Sequence, residues 1–298
     1  MLITDRIAEL GIVPVVKIDD AKKAVALGQA LMKAHLSCIE ITFRTEAAAA
    51  SIKAITTALP ELLVGAGTVL TTKQVDEAIE SGAKFIVTPG FNPIVVSYCV
   101  EKKIPIIPGC SSPSDIEAAL SFNLKVVKFF PAEQLGGLPM IKALAAPYGN
   151  VKFIATGGIN EKNFRSYLDY SKVIAIAGSW MVLPELIESG NFTEIERLSQ
   201  QAIQIMLSLR ISNVSLNTET SDEAISIIEE ATNGLVSTPQ GIQSNLITIN
   251  TVDLYRASAY FKSLGIVFEK ELCTDQTTTL RLIAKGSQNI SNITLTQK

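Results

Sequence analysis

The chain of 298 residues holds a single histidine, His35, and only four cysteines, none paired at CxxC spacing. Cys38, Cys99, Cys110 and Cys273 are scattered. They read as reduced thiols rather than a disulfide frame or a zinc site, which points to the cytoplasm. His35 reads as a turn or surface residue, not a catalyst. There is no basic block, and the formal net charge is −3, so no nucleic-acid partner is expected. No apolar run is long enough to cross a bilayer. Residues 1–10 carry Asp5, Arg6 and Glu9 and read as a short helix rather than a leader. No membrane partner is expected either.

What is present is a regular cadence. Hydrophobic residues make up 47% of the chain, ample for a packed core. Short β-rich runs at 12–17, 38–43, 62–67, 85–88, 104–108, 126–130, 151–155 and 173–177 alternate with helical patterns. The helices are expected near 20–34, 46–59, 72–81, 93–102, 114–121, 138–146, 160–169 and 184–208. Thr45 before Glu46 and an alanine run reads as the start of the second of these. About eight βα units in roughly 200 residues fit a (β/α)8 TIM barrel, with an open doubly wound sheet as the alternative. The polar residues decide for the barrel. In the second strand Ile39, Ile41 and Phe43 alternate with Glu40, Thr42 and Arg44. A period of two puts each set on its own face. An open sheet covered by helices on both sides has no place for the polar set, whereas a barrel turns it inward.

Lys128 lies in the apolar run Val126–Pro131. A strand of that kind is buried on both faces, and an ammonium in low dielectric tends to lose its proton. A neutral amine is a nucleophile that forms Schiff bases with carbonyl compounds. The bland reading is a strand-end lysine snorkelling to water. The companions of Lys128 favour chemistry. By the same period, Lys128 faces inward with Glu40, the one inward carboxylate of the set and a candidate proton shuttle. Arg44 and Thr68 suit a carboxylate. Glycine-rich turns at strand ends, including Thr156-Gly157-Gly158 and Gly178-Ser179, suit an anion such as phosphate. The set therefore predicts a Schiff-base enzyme for a small 2-keto acid. Two rival readings are a sugar-phosphate barrel of another activity, epimerase-like, and a non-catalytic scaffold.

The runs Glu40-Ile41-Thr42-Phe43-Arg44-Thr45, Gly65-Ala66-Gly67-Thr68-Val69-Leu70, Lys128-Phe129-Phe130-Pro131-Ala132-Glu133, Thr156-Gly157-Gly158-Ile159 and Gly178-Ser179-Trp180 carry a resemblance. In order and spacing they resemble the class I KDPG/KHG aldolases, over about residues 1–208. The resemblance implies cleavage of 2-dehydro-3-deoxy-6-phosphogluconate or 4-hydroxy-2-oxoglutarate to pyruvate and an aldehyde. It implies Lys128 as the Schiff-base lysine, Glu40 as general acid and base, and Arg44 and Thr68 at the carboxylate. Thr156, Gly157, Gly158 and Ser179 would lie near the phosphate. It also implies a homotrimer, with neither a metal nor a cofactor beyond the covalent Schiff base. Departures from the family pattern are Ala34-His35 before the second strand, Ala155, Ala177, and Ser112 with Asp115.

From about residue 209 serine, threonine and asparagine increase, and residues 212–218 resemble 244–251. Each copy reads as a strand followed by a helix, near 220–231 and 253–264, with further strands near 266–271, 278–284 and 290–296. Residues 209–298 are expected to form a small α+β domain. The segment resembles the glyoxalase-like (vicinal oxygen chelate) extension of some family members. Asn213 and Asn245 stand near positions where a metal histidine would be expected, and asparagine is a weak ligand, so no metal is expected.

Overall fold

The computed structural model of the protein describes residues 2–216, 244–264, 267–274, 277–283 and 292–297. The chain forms two compact units, Met1–Ile203 and Gln204–Lys298. The division lies inside a helix, a few residues before the change in composition.

The first unit opens with α1 (Ile3–Leu10), and then strands and helices alternate. They run β1 (Ile12–Val16), α2 (Ala24–Lys33), β2 (Cys38–Thr42), α3 (Ala48–Ala58), β3 (Leu63–Gly67), α4 (Thr72–Glu80), β4 (Phe85–Val87) and α5 (Pro93–Glu101). There follow β5 (Ile106–Ile107), α6 (Pro113–Ser121), β6 (Val126–Phe129), α7 (Gly137–Ala145), β7 (Lys152–Thr156), α8 (Phe164–Leu168), β8 (Val173–Gly178), α9 (Pro184–Ser189) and α10 (Phe192–Leu207). The strands are parallel in the order β5-β4-β3-β2-β1-β8-β7-β6. The two ends of that order meet at a parallel bridge between Gly109 and Lys128. The Lys128 amide donates to the Pro108 carbonyl at 2.8 Å, and the Lys128 carbonyl accepts from the Cys110 amide at 2.8 Å. The sheet is thus the TIM barrel that the cadence predicts, closed through the backbone of one lysine.

The interior is tiered. Val13, Cys38, Phe85, Val87, Ile107, Ile154, Ala175 and Ala177 project into one apolar cluster. Ile7 of α1 joins it and covers the N-terminal mouth. Burying its side chain is worth about 2 kcal/mol. Polar side chains begin one inward step further along the strands, at Glu40, Lys128 and Thr156, each nearly inaccessible. The rim beyond them opens to solvent. A small apolar floor beneath charged groups removes water from one side of the pair and leaves access from the other.

Some helix boundaries differ from the sequence expectation. Thr45 does not cap α3, which starts at Ala48 without a side-chain cap. Its hydroxyl donates instead to the Ile18 carbonyl at 2.5 Å, tying the end of β2 to the loop after β1. The expected helix over 184–208 is two, because Gly190 takes a left-handed conformation (φ 73°) that ends α9. The helix expected over 160–169 is shortened to α8, because Asn160 and Asn163 form a polar turn instead: the Asn163 carboxamide accepts from the Asn160 amide at 2.8 Å.

The second unit is a five-stranded sheet ordered β11-β12-β13-β10-β9. Its elements are β9 (Arg210–Leu216), β10 (Ser244–Thr251), α11 (Leu254–Ser263), β11 (Val267–Thr274), β12 (Thr277–Ile283) and β13 (Asn292–Gln297). β10 and β13 pair in parallel, and the other neighbours are antiparallel. The two stretches with similar sequence, β9 and β10, are adjacent antiparallel strands. The helix expected near 220–231 lies outside the described residues. Among the described residues no group of three His, Cys, Asp or Glu is placed to hold a metal, and no helix is long and apolar enough to cross a membrane.

Candidate active site

Three strands, β2, β6 and β7, each send a polar residue into the barrel at a fixed register. Glu40 pairs with Val15 on β1 and Gly65 on β3, Lys128 with Ile154 on β7, and Thr156 with Ala177 on β8. The Lys128 Nζ stands 3.6 Å from Glu40 Oε1, with the two side chains 6% and 3% exposed. That separation makes an ion pair but exceeds a hydrogen bond, and Oε1 has no hydrogen-bond partner. Thr156 Oγ1 is likewise buried and without one. The three groups line a space of about 10 Å³ floored by Val13, Ile7 and Phe85. A cavity of that size holds about one water, and its polar lining suits one. A buried orphan acceptor costs about 1–3 kcal/mol, so the gap favours occupation by a proton-bearing group.

Why Glu40 fits is visible at Gly67. A Cβ there would lie 2.0 Å from Glu40 Oε1. The absence of a side chain on β3 is what lets the carboxylate lie against the strand. The next residue, Thr68, has φ 54°, and its hydroxyl accepts from Arg44 Nε at 3.2 Å. Thr42 is buried and donates to the Val16 carbonyl at 2.8 Å, bracing β2 against β1.

Above this pair lies a larger cavity of about 340 Å³. Arg44, Thr156, Gly157, Gly158 and Ser179 line it, with Phe130, whose ring centroid is 5.1 Å from the Lys128 Nζ. Gly157 and Gly158 both have positive φ, 100° and 75°. The structure therefore brings the eight residues singled out from sequence to one mouth of the barrel: Glu40 and Lys128 deep, Thr156 at the junction, and Arg44, Thr68, Gly157, Gly158 and Ser179 at or near the rim.

Lys17 also lines the upper cavity and was absent from the sequence-based set. It continues the inward alternation of Val13 and Val15 one step past β1, a signal available in the sequence. Its ammonium pairs with Asp19 at 2.7 Å. With Arg44 it gives the lining two cations and no carboxylate, a field that favours an anionic ligand. Cys110 is adjacent in the chain to the barrel closure, but burial, and then the charge of Asp115, push its thiol up to about 12, so it is no nucleophile at neutral pH.

Ser112 and Asp115 form the capping box of α6. Burial of Asp115 works against ionisation, but hydrogen bonds from Ser111 and Ser112 outweigh it and hold the carboxyl below its ordinary value. This departure from the family pattern is thus a helix cap and lies outside both cavities.

The chain matches the KDPG and KHG aldolase family over residues 3–198. It is 46% identical over 204 residues to a 2-dehydro-3-deoxy-phosphogluconate aldolase of Treponema pallidum, covering 68% of this chain and 97% of that one. It is 39% identical over 193 residues to the KHG/KDPG aldolase of Escherichia coli, covering 65% and 91%. Among solved structures, the KDPG aldolase of Legionella pneumophila, with pyruvate captured as a covalent carbinolamine, is similar with a TM-score of 0.66 and 34% identity, covering 68% of this chain and 98% of that one. A tiered barrel with a buried lysine–carboxylate pair, matched from end to end by such relatives, leaves one conclusion: the chain belongs to the KDPG and KHG aldolase family.

Proposed function

We propose that this protein is a class I aldolase that cleaves 2-dehydro-3-deoxy-6-phosphogluconate to pyruvate and glyceraldehyde 3-phosphate, and 4-hydroxy-2-oxoglutarate to pyruvate and glyoxylate. The observation that carries this proposal is the buried Lys128 Nζ, 3.6 Å from Glu40 Oε1 and beneath a cavity lined by cations. Arg44, steadied by Thr68, receives the substrate carboxylate. Lys17, Ser179 and the amides of Gly157 and Gly158 receive the distal anion.

Glu40 takes a proton from the Lys128 ammonium, the freed amine attacks C2, and Glu40 passes that proton to the carbonyl oxygen to give a carbinolamine; a second amine proton, moved the same way, lets the oxygen leave as water. Loss of water leaves an iminium, an electron sink next to the bond that breaks. Glu40, directly or through a water in the small space below, takes the proton of the C4 hydroxyl. The C3–C4 bond cleaves, its electrons flow to the iminium nitrogen, and the aldehyde departs. The resulting enamine takes a proton at C3 from Glu40. Water then adds to the iminium, and pyruvate and the free lysine are released. Protons balance, and every transfer uses a group already in place. The same proposal includes action without a cofactor, a homotrimeric assembly and a cytoplasmic setting; the family resemblance and the scattered thiols support these.

Borohydride reduction in the presence of pyruvate tests the central step. The adduct is expected on Lys128, and Lys128→Ala is expected to lose turnover by roughly 10⁴-fold or more. An adduct on another lysine, or unimpaired turnover in the variant, refutes the mechanism.

A further inference from the structure

The segment after β6 carries a carboxylate that the mechanism does not use. Glu133 closes the Lys128–Glu133 run, and its carboxylate accepts a hydrogen bond from the hydroxyl of Tyr167 on α8. Tyr167 is 2% exposed. Burial, then the hydrogen bond to Glu133 and the charge of that carboxylate, push its hydroxyl far above its ordinary value, so it remains a donor. The backbone of the same segment is bonded along the glycine turn. The Ala132 amide donates to the Thr156 carbonyl at 2.7 Å, and the Glu133 amide to the Gly157 carbonyl at 3.1 Å. Contact is close over that whole length. A Cβ on Gly157 would lie 2.9 Å from Pro131 Cα, and one on Gly158 would lie 2.6 Å from Glu133 Cβ. Two flexible glycines with positive φ have no side chains with which to hold their own shape. The carboxamides of Asn160 and Asn163 donate to the Gly158 carbonyl at 3.2 and 3.0 Å, and the opposite side of the turn is shaped by the strip laid against it, which is fastened at Glu133.

We infer that the Glu133–Tyr167 hydrogen bond is a latch that positions the Thr156–Gly158 turn for the distal phosphate of the substrate, while the imine chemistry at Lys128 proceeds without it. This rests on the aldolase proposal above and adds a positioning pair to it. Both groups lie outside the residues lining the two cavities, so they act through the turn and not on the substrate. Losing one hydrogen bond that holds a turn loosens the amides in that turn, and the cost falls on whichever ligand those amides bind.

The experiment compares the full-length protein with Tyr167→Phe, Glu133→Ala, their double variant and Glu133→Gln. Three readouts are taken: KM and kcat with the phosphorylated substrate, the same with 4-hydroxy-2-oxoglutarate, and the rate of pyruvate trapping by borohydride. Tyr167→Phe and Glu133→Ala are each expected to raise KM for the phosphorylated substrate about tenfold, the equivalent of about 1.4 kcal/mol. The double variant is expected to be no worse than either single one, because both break the same bond. Glu133→Gln keeps an acceptor for the tyrosine hydroxyl and is expected to behave as the parent. Trapping and the constants for 4-hydroxy-2-oxoglutarate stay within about twofold. Equal losses on both substrates, loss of trapping, additive effects or no change in KM each overturn the latch. A parent protein that releases no pyruvate from the phosphorylated substrate overturns the aldolase proposal itself, so the two failures are told apart by the unmutated control.

Discussion

At Gly67 a single missing methyl group sets the position of the Glu40 carboxylate. Gly67 is not among the residues with positive φ, so alanine suits its backbone; only the contact with Glu40 forbids it. Gly67→Ala is expected to displace Glu40 and lower kcat by about 100-fold, the lower end of what a positioned acid–base group contributes. Circular dichroism is expected to show the barrel intact. A kcat near the parent value counts against Glu40 as the proton shuttle. The same scale shows what was legible in advance. Period-two alternation in β2 and β6 separated Glu40 and Lys128 from their outward neighbours, because a strand alternates strictly. Val13, Val15 and Lys17 follow the same rule, but alternation alone does not single out Lys17. A lysine ending an apolar strand looks like a snorkelling one, and only the closed barrel turns that end toward a cavity.

Between elements, the turn before β2 carries the only histidine. His35 stands in a left-handed conformation (φ 59°), which costs a residue with a Cβ about 1–2 kcal/mol. Burial lowers its pKa from the ordinary 6.5. A depressed value means that protons bind the unfolded chain better. The contribution of His35 to stability is therefore complete above about pH 6.5 and is lost as the pH falls below it. Melting temperatures between pH 7.5 and 5.5 are expected to fall more steeply in the parent than in His35→Asn, since asparagine tolerates the turn and does not titrate. Parallel curves would assign the pH response elsewhere. Pro93, Pro113 and Pro184 stand at the first turns of α5, α6 and α9, and the strands and most helices were legible from alternation. The start of α3 was not, because Thr45 spends its hydroxyl on the Ile18 carbonyl rather than on a helix amide. A local sequence cannot tell which of two acceptable partners tertiary packing will bring near.

At the scale of the molecule, the family match spans residues 3–198, within the first unit. The Treponema pallidum relative is covered over 97% of its length by 68% of this chain. A chain ended after Leu207, the last residue of α10, is therefore expected to retain kcat within about twofold for pyruvate release. A large loss would give residues 208–298 a part in catalysis. The change in composition near residue 209 and the similarity of β9 to β10 were readable. The sheet order was not, because pairing β10 with β13 in parallel depends on contacts far apart in the chain.

The hydrogen bonds that complete the circle of strands at Gly109 belong to Lys128 itself. The staves cannot part there without turning Lys128 away from Glu40. On heating, turnover is therefore expected to fall before the helical signal does, since one local breach there disarms the pair while the core stays packed.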